Sequence, residues 1–141
     1  MFMYVFSIVL IVASNIMYHI LQKSTPQKAN PFSALLVTYL TASVISAVVL
    51  LFNRNGQSFF QSFKNLSWTS AALGIAIVGL EFGYLMAYRA GWNISIGSLV
   101  ANIFLALLLI LVGVIIYKES FQFTKIAGAL FCIVGLILIN K

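Results

Sequence analysis

The chain alternates between long apolar runs and short polar breaks, and the runs have the length of membrane-crossing helices. About 20 largely apolar residues are needed to cross a hydrocarbon layer as a helix. Reading from break to break predicts five such helices: Phe2–Leu21, Pro31–Phe52, Trp68–Tyr88, Ile94–Tyr117 and Phe121–Ile139. The first break, "QKSTPQKAN", holds two lysines and Pro26, and Pro31 follows at the first-turn position that tolerates a missing N–H. The longest break, "NRNGQSFFQSFKNLS", puts Phe59, Phe60 and Phe63 on one helical face, which suits a short turn lying on the membrane. "RAGWN" and "KES" are tight enough to force antiparallel neighbours. Trp68, Tyr88, Trp92 and Tyr117 fall at the expected water boundaries, where amphipathic rings gather. The first run has no cationic lead-in and no convincing small-x-small cleavage site, so it reads as a retained helix.

Composition sets the solvent. The residues are 62% hydrophobic and 7% charged, where soluble chains carry roughly a quarter charged. An aqueous globule cannot hide that much apolar surface. The expectation is an all-α polytopic membrane protein, a single five-helix transmembrane domain over residues 1–141. A net charge of +6 would suit nucleic acid on a soluble protein. Here the basic residues stand between apolar runs, where they meet phospholipid headgroups, so no nucleic-acid partner is implied.

Sorting those charges by side gives no orientation. Arg54, Lys64, Lys118 and Lys125 fall on the face of the N-terminus, and Lys23, Lys28, Arg89 and Lys141 on the opposite face. With four against four, the positive-inside rule has no bias to act on. An even split is either chance or the mark of insertion both ways, and both readings stay open. The second would let two copies pair head-to-tail, like the inverted repeats of transporters.

Candidate chemistry centres on helix three. Glu81, in "GLEFGYLMAYR", is one of two acidic residues in the chain. Helical rise puts it roughly 10 Å below the Arg89 face of a slab about 30 Å thick. A carboxyl at that depth is costly and by default functional, and desolvation favours its neutral, proton-holding form. The same counting brings Asn15, Thr38 or Tyr39, and Asn102 to a similar level. Asn15 belongs to a stripe with Ser7, Ser14, Tyr18 and Gln22, while Ser95, Ser98 and Asn102 share one side of helix four. Tyr84 and Tyr88 accompany Glu81. The substrate- or proton-binding candidates are therefore Glu81, Asn15, Asn102, Tyr84, Tyr39, Tyr18 and Ser98. Taken singly, the Asn and Ser residues also suit plain interhelical hydrogen bonding. His19, near a loop, reads as an interfacial residue, and Arg89 and Glu119 as headgroup or capping contacts.

Small residues mark packing faces. Ala72, Ala76, Gly79, Gly83 and Ala87 form a seam on helix three, with Gly79-x-x-x-Gly83 at its centre. Gly128, Cys132 and Gly135 draw a second line on helix five, a candidate dimer or peripheral helix. Nothing provides for a cofactor or a metal. There is no phosphate-cradling G-x-x-x-x-G-K-[ST] segment, and one His, one Cys and no Asp leave a metal without ligands. A nucleophile, base and orienting group cannot be assembled, so an enzyme is not expected.

The stretch "MAYRAGWNISIGSLVANIFLALLLILVGVIIYKESFQFTKIAGALFCIVGLILI" resembles the C-terminal part of the EamA-type repeat of the drug/metabolite transporter superfamily. The likeness rests on an Ala-x-x at the end of helix three, a short turn, a helix four rich in small residues, Glu119 after it, and Gly128 and Gly135 in the last helix. The resemblance implies five helices as one half of an inverted-repeat bundle, a partner of opposite orientation, and alternating-access export of metabolites, amino acids or drugs. Two departures stand out. Helix four lacks the proline many relatives carry, and helix one has Asn15 where the related small multidrug-resistance proteins have a key Glu. The expectation is thus a small transporter working as an antiparallel homodimer, with Glu81 as a proton- or cation-sensitive group. A non-transporting membrane subunit that stabilises or regulates a larger complex is the rival reading.

Overall fold

The computed structural model describes residues 2–53, 63, 64, 66–120 and 123–139. They form five helices: α1 (Phe2–Ser24), α2 (Pro31–Phe52), α3 (Trp68–Arg89), α4 (Ile94–Ile115) and α5 (Phe123–Ile139). No strand occurs among the described residues. Four helices, α1 to α4, are long and apolar enough to cross a membrane, each over 22 residues. The fifth is shorter than expected. Its 17 residues rise only about 25 Å, against a hydrocarbon layer of about 30 Å.

Local chemistry explains where the helices begin and end. α1 runs three residues past the apolar stretch, because Gln22 and Lys23 continue the helix and Lys23 suits the negative end of its dipole. Thr25 then closes the turn, its hydroxyl donating to the Leu21 carbonyl at 3.1 Å and its amide to that of Gln22 at 3.3 Å. Asn30 caps α2, its side-chain oxygen accepting from the Phe32 amide at 2.9 Å and the Ser33 amide at 3.4 Å, with Pro31 opening the first turn. Ser67 caps α3 in the same way through the Thr69 amide at 3.3 Å. Gly91, at φ +99°, makes the turn into α4 that a side chain would strain.

α4 stops two residues before its apolar run does. Lys118 takes a left-handed conformation, φ +53°, and the Glu119 amide donates to the Gly113 carbonyl at 3.0 Å. That closure folds the Glu119 side chain back over the helix. A Cβ built on Gly113 would meet its carboxyl oxygen at 3.1 Å. Glu119, expected as a cap or headgroup contact, therefore reaches back over the bare backbone of Gly113.

The chain divides into two compact units. One comprises residues 1–20 and 91–141, with α4 packed on α5. The other comprises residues 21–90, with α2 packed on α3. In this second unit the Phe32 and Phe82 rings stack at 5.3 Å, so the start of α2 faces the end of α3 and the two helices run antiparallel. Few side chains are buried: Leu35, Leu85, Tyr88 and Ile103 among the hydrophobic residues, and His19 among the polar ones. In contrast, Ile75, Leu80, Leu108 and Phe131 all stand exposed. A protein in water could not sustain that distribution, and lipid can.

The expected membrane-surface turn falls largely outside the described residues, since Phe59 and Phe60 are not among them; Phe63 is exposed. The aromatic belt is partly as expected. Trp68, Trp92 and Tyr117 are exposed, but Tyr88 is buried at 3% exposure, because the end of α1 lies over it.

Candidate functional site

The sequence candidates fall into two groups, one in each unit. The first lies in the unit of residues 1–20 and 91–141. An open cleft of about 470 Å³ runs between α1 and α4. Its polar lining is Asn15, His19, Ser98 and Asn102; its apolar lining is Val12, Ile16, Ile20 and Ile94. The spacing produces this. Positions 12, 15, 16, 19 and 20 form one face of α1, and 94, 98 and 102 form one face of α4.

Two of these polar groups bond to their own helices. The Asn15 amide nitrogen donates to the Ile11 carbonyl at 3.2 Å, which leaves its oxygen free to accept. The Ser98 hydroxyl lies 2.8 Å from the Ile94 carbonyl and 3.3 Å from that of Ser95, so its proton serves its own helix. His19 is buried at 8% exposure, and the Tyr18 ring meets it edge-on at 5.1 Å. Where a place at the membrane boundary is expected for His19, the structure sets it in the cleft wall. It lies one turn beyond Asn15 on the same face, a signal present in plain i, i+4 spacing.

The second group lies in the unit of residues 21–90. Helical counting leaves Thr38 or Tyr39 as the partner at the depth of Glu81. Thr38 donates its hydroxyl to its own helix, at Ala34, 3.1 Å away. Tyr39 turns instead towards α3, and its hydroxyl lies beside the Glu81 carboxyl. That hydroxyl is buried and makes no hydrogen bond of ordinary geometry. Tyr84 is set apart from this pair in chemistry, as its ring stacks on Tyr88 at 6.0 Å.

Lys23 and Arg89, two cations of this unit, are engaged away from the Glu81 carboxyl. Lys23 donates to the Tyr88 carbonyl at 3.4 Å and sits over the Tyr88 ring, 5.7 Å from its centre. Arg89 donates to the carbonyls of Pro26 at 3.1 Å and Ala29 at 2.8 Å, fastening the α1–α2 loop to the end of α3. It is thus a loop clamp, where a headgroup or capping contact was expected. Gln22 adds a third tie, donating to the Glu81 backbone carbonyl at 2.9 Å. Among the described residues, the group beside the carboxyl itself is Tyr39.

The small-residue seams are open. No atom stands within 4 Å of the place a Cβ would take at Gly79, Gly83, Gly128 or Gly135, and Ala76 is exposed beside them. Among the described residues, no helix closes on either seam.

What the arrangement can do is hold a small polar molecule in a membrane-embedded cleft and carry a protonable carboxyl in the span. No curated protein and no solved structure matches this chain. The model of the EamA-like transporter family matches residues 2–141, the extent of one EamA-type repeat. The chain is a multi-pass membrane protein of the drug/metabolite transporter type, and it belongs to the EamA-like transporter family.

Proposed function

We propose that the chain is a small transporter that moves small metabolites, amino acids or amphipathic compounds by alternating access. The five helices act as one transmembrane domain, with α5 as the fifth span, in the inner (cytoplasmic) membrane. Two copies of opposite orientation form the working unit. The observation that carries this reading is the cleft of about 470 Å³ between α1 and α4, with four polar side chains on helices apolar enough to cross a membrane. Polar groups at such a place are expensive unless they meet water, a partner or a ligand.

Glu81 is the coupling group in this proposal. A membrane carboxylate without a counter-charge is stable only when protonated or joined by a cation from outside. Both cations described above are occupied by backbone carbonyls. Tyr39 supplies a hydroxyl that can hydrogen-bond the carboxyl in either state. The opposite orientation of two copies is supported by the even distribution of basic residues and by the unoccupied seams on α3 and α5.

Proteoliposomes containing only this protein provide the test. An imposed proton gradient should drive uptake of a metabolite mixture, read by mass spectrometry, and Glu81→Gln should remove the dependence on the gradient. Absence of flux with wild-type protein would favour the rival reading, a subunit that stabilises a larger complex.

A further inference from the structure

We propose that the cleft between α1 and α4 is a binding site for uncharged, hydrogen-bonding amphiphiles, and that it discriminates against organic ions of either sign. This deepens the transport reading and rests on it in taking the cleft as the substrate's seat.

No Lys, Arg, Asp or Glu is among the cleft residues. An organic cation entering would lose hydration and find no carboxylate; an organic anion would find no ammonium or guanidinium. Either would be left as an uncompensated charge. The groups present are two carboxamides, a hydroxyl and an imidazole.

Their remaining capacity can be counted. Asn15 spends one N–H on the Ile11 carbonyl and keeps its oxygen. Ser98 spends its proton on its own helix and keeps lone pairs. The Asn102 side chain makes no hydrogen bond within the described residues, so its carboxamide offers both a donor and an acceptor. Between them Asn15, Ser98 and Asn102 offer three acceptor oxygens and two carboxamide nitrogens with N–H to spare, so the cleft matches neutral groups that both donate and accept. An amide or an alcohol fits this; Val12, Ile16, Ile20 and Ile94 provide the wall for its apolar part. The specificity is a difference between hydrogen bonds made and charges stranded.

Three probes of one shape separate the possibilities: benzamide, benzamidinium and benzoate, with charges of zero, plus one and minus one. Binding is read by saturation-transfer NMR on protein in lipid nanodiscs, with empty nanodiscs as baseline. Working at pH 8, above the ordinary imidazole pKa of about 6.5, keeps His19 out of the comparison. Benzamide should bind at least about tenfold more tightly than either ion, and Asn102→Leu should weaken benzamide about tenfold, the loss of one good hydrogen bond. Ser98→Ala, which keeps the volume, provides a second and milder variant with a smaller loss in the same direction. Equal or tighter binding of benzamidinium or benzoate would overturn the assignment. So would no binding above baseline, or benzamide affinity unchanged in both variants. Substrate flux in proteoliposomes alongside a preference for an ion would leave the transport reading standing and remove this one.

Discussion

At the scale of single residues, Arg89 is the clearest case of a charge with a structural task. One guanidinium nitrogen bridges two carbonyls of the α1–α2 loop, at 3.1 and 2.8 Å, and its Nε is buried without a partner. A lysine ammonium can also serve two acceptors, but its side chain ends one bond short of the guanidinium nitrogen that makes both contacts, so the loop or the helix must shift to keep them. Arg89→Lys should therefore lower stability by about 1 kcal/mol and Arg89→Ala by about 2 kcal/mol, within the usual range for charge-assisted bonds at a half-exposed site. Thermal unfolding in detergent measures the order of the two. Equal stability of all three proteins would show the clamp to be incidental. Arg89 also shows what a sequence withholds. Its position at the end of a span was readable, but a basic residue there has the same pattern whether it meets a lipid phosphate or a loop carbonyl. Only the fold of the 25–30 turn decides.

Among the helices, apolar periodicity and punctuation carried most of the information. Pro31 marked the start of α2 and the end of the longest polar break that of α3; the caps that fix these starts, Asn30 and Ser67, come from the structure. The ends were less legible, since stopping α4 at Ile115 depends on Lys118 adopting a left-handed turn that its side chain does not announce. The Gly113–Glu119 contact belongs to the same turn. Glycine at 113 leaves room for the carboxyl, so Gly113→Ala should be tolerated after a shift of a few tenths of an ångström by a flexible side chain. Gly113→Leu should expel Glu119 and loosen the α4–α5 connection. The test is proteolysis of the 116–122 segment: cleavage should be unchanged in the alanine variant and several-fold faster in the leucine variant. Equal cleavage rates in both variants would remove the carboxyl from the turn's stability.

At the scale of the whole molecule, the candidate residues were legible as polar positions on apolar helices, and their grouping was not. Helical depth placed Asn15, Thr38 or Tyr39, Glu81 and Asn102 at a similar level, but depth carries no azimuth. The fold puts Asn15 and Asn102 on one cleft and Tyr39 beside Glu81 in the other compact unit. Assembly is the next level, and the seam on α3 is where it can be tested. A glycine pair that no other part of the described chain approaches within 4 Å costs helix stability, roughly 1 kcal/mol per residue relative to alanine. Close approach of a second helix is one way to offset that cost. If the second helix comes from another copy, Gly79→Leu and Gly83→Leu should leave α3 folded, because nothing in the described chain comes within 4 Å of the place a Cβ would take there, yet reduce chemical crosslinking of dimers several-fold. Orientation is then read separately, from Lys64→Cys in a Cys132→Ser background, probed with membrane-impermeant label from each side of intact and inverted vesicles. Labelling from both sides, lost in neither glycine variant, accords with copies inserted both ways before they pair. Labelling from one side alone would restrict any dimer to parallel copies. Undiminished crosslinking in both glycine variants would move the contact to another surface, with the Gly128 and Gly135 line of α5 the next to be substituted.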